Sequence, residues 1–474
     1  MLLWSSLAAC GSAHKATTPT NRPSQPLAAA PADPNLVTMT AESTTALVTA
    51  SSLTELGLRV RIVGKALPDA NRPPLNLGLV LDTSGSMEGK PIEALRASAK
   101  ALVGKLRDGD RLSVIAFHSR ADVLVNSASI TADTRKQIDK AIDGIQARGT
   151  TDLAAGLAQG LSQVVSYRMP AGINRIVLLS DGVPNTNVQL PGTIAAIQQN
   201  GISVTSLGLG IDYDTQLMTQ IARDTGGAFH YLDEPESIAA VFDEELSKMT
   251  TVVARNVQLT IEAGPGVAFQ PMPGLTNVGN GKFTAVIGDL AAGEVRDLMF
   301  PVKVTARGDG STVELALATL AFDDVIGKSG IGRREAFVST KASSDAAATA
   351  GAVKIGLEVA RIRATAAGAT LEAITLARQG QVEPARKRIA DAIKTVKAAA
   401  SRLKDEELEQ LGRELDGLAK DLAKIVVPQQ QIIGDTQPPR ADMPLVPATA
   451  PAPIEHSLRK AEQKASNVVR GARN

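Results

Sequence analysis

Between residues 75 and 250 the chain repeats one pattern: a short apolar run, a helical stretch, and another run. The runs are LNLGLVL (75–81), RLSVIAF (111–117), RIVLLS (175–180) and ISVTSLGLG (202–210). They are rich in Val, Ile and Leu and barely alternate with polar residues, as strands buried on both faces do. Helical patterns near 91–107, 134–146, 153–168, 191–199, 214–225 and 235–249 separate them. Such alternation predicts an α/β fold, a doubly wound and mostly parallel sheet with helices on both sides.

The flanks read differently. Over 37–72, Leu58, Val60 and Ile62 alternate with Arg59 and Arg61, the period of strands with one wet face. Over 251–341, VQLTIEA, FTAVIG, DLMFPVKVTA and VELALATLAF are strand-like runs separated by Gly and Pro turns. The expectation is a β-sandwich-like domain built from both flanks, with the α/β domain of 73–250 inserted in it. Residues 346–427 are rich in Ala, Leu, Lys, Arg and Glu. There Leu408, Leu411, Leu415, Leu418, Leu422 and Ile425 follow 3-4-3-4-3 spacing, which predicts a helical hairpin packed on itself or a short coiled coil. Residues 428–474 read as a Pro-rich and then basic tail, with Arg459, Lys460, Lys464, Arg470 and Arg473 set against Glu462 in the last 18 residues. A solvated end is expected, with contact to an anionic surface as the alternative.

The chemistry gathers at the ends of the apolar runs. LNLGLVL leads into Asp82-Thr83-Ser84-Gly85-Ser86-Met87, and RIVLLS ends in Ser180-Asp181-Gly182. Gly149-Thr150-Thr151-Asp152 precedes a helical stretch. In an open α/β sheet, ligands bind beyond the carboxyl ends of the strands. Asp82, Ser84, Ser86, Thr151 and Asp181 would bring two carboxylates and three hydroxyls to that edge. All are hard oxygen donors suited to Mg²⁺, and zinc would want imidazole or thiolate instead. A cluster of helix-capping residues is the bland alternative.

With these residues the chain resembles the von Willebrand factor A family, whose metal-ion-dependent adhesion site combines Asp-x-Ser-x-Ser with a distant Thr and a distant Asp. Asp82, Ser84 and Ser86 fit the first part, Thr151 the second (Thr150 is the weaker candidate) and Asp181 the third. The resemblance covers roughly 73–250, including GDRLSVIAF (109–117) and the run at 208–232. It implies binding of Mg²⁺ or Mn²⁺, with Ca²⁺ fitting less well, and a partner protein whose Asp or Glu completes the shell. Met87, Glu88, Lys90, Arg148 and Asn185 are then the expected partner-binding rim. The flanking β segments resemble bacterial proteins related to the inter-alpha-trypsin inhibitor heavy chains.

Lys plus Arg is 50 and Asp plus Glu is 49, a balance that gives no electrostatic reason to expect nucleic acid binding. The single cysteine, Cys10, excludes an internal disulfide. It closes Leu7-Ala8-Ala9-Cys10, which resembles a bacterial lipoprotein box, so residues 1–12 read as signal and lipidation site and 13–36 as a flexible linker. That places the protein at the cell envelope, lipid-anchored (outer membrane or periplasmic face) or secreted. A plain N-terminus with a chance cysteine is the alternative.

Four histidines, His14, His118, His230 and His456, show no metal-ligand spacing. Asp212 and Asp214 follow a strand, and helix capping by Asp214 or Thr215 is the favoured role. No GxSxG elbow or GxxxxGK[ST] loop is present. The combined reading is a metal-dependent protein-binding module rather than an enzyme. The alternative is an envelope scaffold whose helical or β region carries the interaction. A metal-assisted hydrolase ranks last, because no general base stands beside the ligands.

Overall fold

The computed structural model describes residues 33–66, 72–185, 188–306, 308–425 and 451–472. The expected lipidation site at Cys10 and the residues around it lie outside them. Strands β1 (Val37–Ser43), β2 (Leu47–Thr49) and β3 (Leu53–Gly64) come first. The linker expected over 13–36 ends earlier than its limit, because Leu36 is buried in the core that these strands help to form.

The α/β domain follows as β4 (Leu75–Asp82), α1 (Lys90–Lys105), β5 (Arg111–Phe117), β6 (Ala121–Ser129), α2 (Ala132–Asp143), α3 (Leu153–Ser166), β7 (Ile173–Ser180), α4 (Leu190–Gln199), β8 (Ser203–Leu209), α5 (Thr215–Asp224), β9 (Phe229–Leu232) and α6 (Ser237–Thr250). The strand order is β6-β5-β4-β7-β8-β9. Only β6 runs antiparallel to its neighbour. The central strands β4 and β7 are buried at every position, which is why their sequences do not alternate. Separate apolar cores fill the two faces of the sheet, one under α1, α2 and α6 and one under α3, α4 and α5. Close packing has sequence requirements: a Cβ at Gly156 would lie 2.7 Å from the Phe117 ring, so glycine lets α3 settle onto β5.

Next come β10 (Val252–Ala263), β11 (Val267–Phe269), β12 (Thr276–Gly279), β13 (Lys282–Ala291), β14 (Val295–Thr305), β15 (Thr312–Asp324) and β16 (Ile331–Ser343). They join β1–β3 in two sheets, ordered β1-β3-β14-β11 and β12-β13-β10-β15-β16-β2. One core holds Leu58, Val60 and Ile62 of β3 together with Leu259, Phe300, Leu315 and Leu320, so both flanks of the α/β domain build one sandwich. The wet face of β3 carries ion pairs: Arg59 to Glu42, and Arg61 Nη1 to Asp297 Oδ2 at 3.1 Å.

The C-terminal part is α7 (Ala346–Gly351), α8 (Ile355–Arg378), α9 (Val382–Leu403), α10 (Glu406–Ala423) and α11 (Ala452–Val469). This departs from the hairpin expectation. Gly380, at φ 78°, separates α8 from α9. Lys404 ends α9 in the left-handed region, and Asp405 caps α10 by accepting from Leu408 N at 2.9 Å. Pro384 falls in the first turn of α9, where no intrahelical N–H is lost. Leu408, Leu415, Leu418, Leu422 and Ile425 are buried against Ile389, Val396 and Leu458 of the same chain. The leucine seam is therefore spent within the chain.

The largest correction concerns the basic end. Residues 452–469 form a helix, not a solvated tail. Ile454 and Leu458 sit in the helical core, and the Arg459 side chain is only 4% exposed. Its guanidinium donates to Thr215 Oγ1, to Ile211 O at 2.6 Å and to Tyr213 O at 3.1 Å, and lies 4.1 Å from the Tyr213 ring centroid. Among the other basic residues, Lys460 pairs with Asp233 at 2.5 Å and Lys464 with Glu414 at 2.7 Å. Arg473 lies outside the described residues.

Candidate metal centre

β4 ends at Asp82, and a single 3-10 turn, Gly85–Met87, follows it. Asp82 Oδ1 accepts from Ser84 N at 2.9 Å, a local bond that curls the loop back over the strand end. Ser84 Oγ and Ser86 Oγ lie 3.0 Å apart, and Ser86 Oγ donates to Asp181 Oδ1 at 2.7 Å. Residues from the β4 and β7 ends thus form one continuous polar chain. The third segment is clamped between them. Gly85 N donates to Gly149 O at 3.0 Å, Arg148 N to Thr83 O at 2.7 Å, and Asn185 N to Thr151 O at 2.9 Å. A Cβ at Gly182 would lie 2.8 Å from Thr151 Oγ1, so glycine after Asp181 lets that hydroxyl close on the β7 end. Thr150 is exposed and engaged elsewhere, with Ser119 Oγ at 3.2 Å and Asn185 Nδ2 at 2.8 Å.

Burial gives this cluster its electrostatics. Asp82 and Asp181 are both buried. Burial raises the Asp82 carboxyl above its ordinary value, against the opposing effect of bonds from Ser180 and Ser84. Burial, with the charges of Asp82 and Asp212 adding to it, pushes Asp181 up to about 6. The groups acting most strongly on the two carboxylates are hydroxyls, amides and other carboxylates, not cations. Hard oxygen donors around two buried carboxylates without a protein cation match what a hard divalent cation binds.

Residues 76–244 match the family model for the von Willebrand factor type A domain. The chain contains a von Willebrand factor type A domain. An uncharacterised protein of Synechocystis is 32% identical over 212 residues, 44% of this chain and 49% of that protein. Inter-alpha-trypsin inhibitor heavy chain H2 of Sus scrofa is 25% identical over 269 residues, 54% of this chain and 28% of that one. The chain thus spans about half or less of the length of these curated relatives. Among solved structures, a von Willebrand factor type A protein from Catenulispora acidiphila superposes with a TM-score of 0.67 at 17% identity, covering 92% of this chain and 97% of that one. That likeness shows the fold, and its reach takes in the flanks as well as the A domain.

Around the A domain's polar cluster, Glu88, Lys90, Arg148 and Asn185 are exposed. Met87 corrects the expected rim. It is fully buried, because the 3-10 turn swings it into the core under α1 beside Leu95 and Ile92. Arg148 is tethered, with Nε 3.1 Å from His118 Nε2 and Nη2 3.4 Å from Asp122 Oδ2. Asp214 caps α5 by accepting from Leu217 N at 3.0 Å, while Asp212 lies near enough for its charge to act on Asp181.

Two participants carried no role in the sequence reading. Ser180 donates to Asp82 Oδ2, tying the β7 end to the β4 end. Its place immediately before Asp181 was the available signal. Ser119 accepts from Thr150 N at 3.1 Å and braces the Gly149 loop. Nothing in its local sequence marks it.

Proposed function

We propose that the protein is an extracytoplasmic binding module that captures a protein partner through a divalent cation, Mg²⁺ or Mn²⁺, held by Asp82, Ser84, Ser86, Thr151 and Asp181. A von Willebrand factor type A domain generally mediates protein–protein interaction. The observation that carries the finer reading is the convergence of Asp82, the two serines and Asp181 into one hydrogen-bonded chain whose carboxyls are raised by burial, with no cation among the groups acting most strongly on them. A bound cation would supply a Lewis-acidic position for an outside carboxylate, since three of its five protein donors would be neutral hydroxyls that add no negative charge to that of the two carboxylates. Ser86 is exposed at the mouth of the cluster, whereas Asp82 lies at its base, so an acidic side chain would approach from the Ser86 side. Exposed Glu88, Lys90, Arg148 and Asn185 would then sort partners by charge and shape. The Leu7-Ala8-Ala9-Cys10 segment supports envelope anchoring through Cys10.

Affinity capture from the envelope of the source cell, run in Mg²⁺ and in EDTA, tests this reading. Recovery of a partner in Mg²⁺ that is lost in EDTA and lost with Ser84→Ala is the expected result. Equal recovery in EDTA overturns it.

A further inference from the structure

A cavity of about 900 Å³ opens where α5 of the A domain, β13 and β14 of the sandwich, and helices α8 and α11 meet. Pockets of roughly 300–1,000 Å³ house most small organic ligands. Met272, Ile287, Leu298, Phe300, Leu371 and Val469 give it apolar walls. On α8 the space is kept open by small residues. A Cβ at Gly368 would meet nothing within 4 Å.

The charges lining this cavity do not cancel. Arg296 pairs with Glu294 at 2.5 Å, Arg388 with Glu372 at 2.5 Å, and Arg223 with Asp224 at 2.9 Å. Glu462 is held by Arg378 at 2.8 Å. Arg470 makes no ion pair among the described residues. The acids whose charge reaches it, Glu245 and Glu294, are engaged by His230 and Lys248 and by Arg296. Burial and the neighbouring Arg296 lower the Arg470 guanidinium to about 10, so it keeps its charge at neutral pH. Its place is fixed by the backbone: Asp297 N donates to Gly471 O at 3.0 Å, and Ala472 bridges to Arg296 on β14. Arg470 is half-buried, so solvent reaches its guanidinium, and an anion entering the cavity would take the place of water as its partner in a charge-assisted bond.

We propose that this cavity binds a single-chain amphiphile with one carboxylate head, the carboxylate pairing with Arg470 and the hydrocarbon lying against the apolar walls. The site is separate from the metal loops and draws its lining from all three modules of the chain.

Calorimetric titration of the full chain with dodecanoate, below its micelle concentration, tests the proposal, with dodecanol as the uncharged control. Expected are one-to-one binding of dodecanoate in the micromolar range, at least tenfold weaker binding of dodecanol, and at least tenfold loss for dodecanoate in R470Q with recovery in R470K. G368W, which projects a ring into open space from a helical position, is expected to abolish binding of both. Failure of dodecanoate to bind, equal binding of dodecanol, or undiminished binding in G368W overturns the proposal. Should R470Q not fold, the head-group comparison in the natural chain and the G368W variant still decide it.

Discussion

The A domain buries carboxylates in two places and treats them in opposite ways. Glu245 of α6 is held by His230 Nε2 at 3.1 Å, Lys248 Nζ at 3.1 Å and the Thr205 hydroxyl at 2.7 Å, with Arg175 Nη1 at 3.9 Å. Burial alone would raise it, but His230, Lys248 and Arg175 hold it far below the usual carboxylate range. At the C-terminal edge of the sheet, Asp82 and Asp181 are also buried, yet their partners are serine hydroxyls and backbone amides, and both are raised. The first grouping is electrically complete within the chain. The second has no cation among the groups acting most strongly on it, and under the proposed function a bound divalent cation would complete it.

The largest effect is expected from Asp82→Ala, which should lower Mg²⁺ affinity at least a hundredfold by calorimetry while leaving the far-UV circular dichroism spectrum unchanged. Asp181→Asn should likewise lose the metal, but should raise the melting temperature of chelator-stripped protein, because it removes a buried charge that no protein cation offsets. Glu245→Gln should do the reverse: Mg²⁺ binding persists, and denaturant unfolding shows a loss of about 3 kcal/mol, since removing one partner strands buried positive charge.

A pH series sharpens the contrast. Glu245, depressed in the fold, contributes stability that is present above its unfolded value of about 4.3 and lost as pH falls below it. Asp181, raised to about 6, contributes the other way: its favourable share is complete below about 3.9 and is lost as pH rises through 6. Added Mg²⁺ should therefore raise the melting temperature more at pH 7.5 than at pH 5, and this difference should vanish in Asp181→Asn. The smallest effect is expected from Arg459→Ala. It should destabilise the chain by about 1–2 kcal/mol and speed hydrogen exchange in 452–469 and 211–215, leaving Mg²⁺ affinity within a factor of three.

Legibility in the sequence followed burial. β4, β5, β7 and β8 were readable because strands covered on both faces leave uninterrupted apolar runs. β6 was not, because it is a half-wet antiparallel edge. The five oxygen donors were readable because each follows or precedes a strand or helix signal. Ser119 and Ser180 act through bonds to other segments, Thr150 and Asp82, which no local pattern reports. Met87 was misplaced because the five-residue motif does not show which way a 3-10 turn swings its last side chain. Helix α11 was misread for a related reason. Its charges suggest a wet surface, but Arg459 is satisfied by carbonyls at Ile211 and Tyr213, 248 and 246 residues away in the chain.

The most direct measurement is titration of chelator-stripped protein with Mg²⁺ at pH 7.5 in parallel for the natural chain and Asp82→Ala. One saturable site in the natural chain and none in the variant is the expected result. A natural chain that takes up no Mg²⁺, or a variant that takes it up equally well, would contradict it.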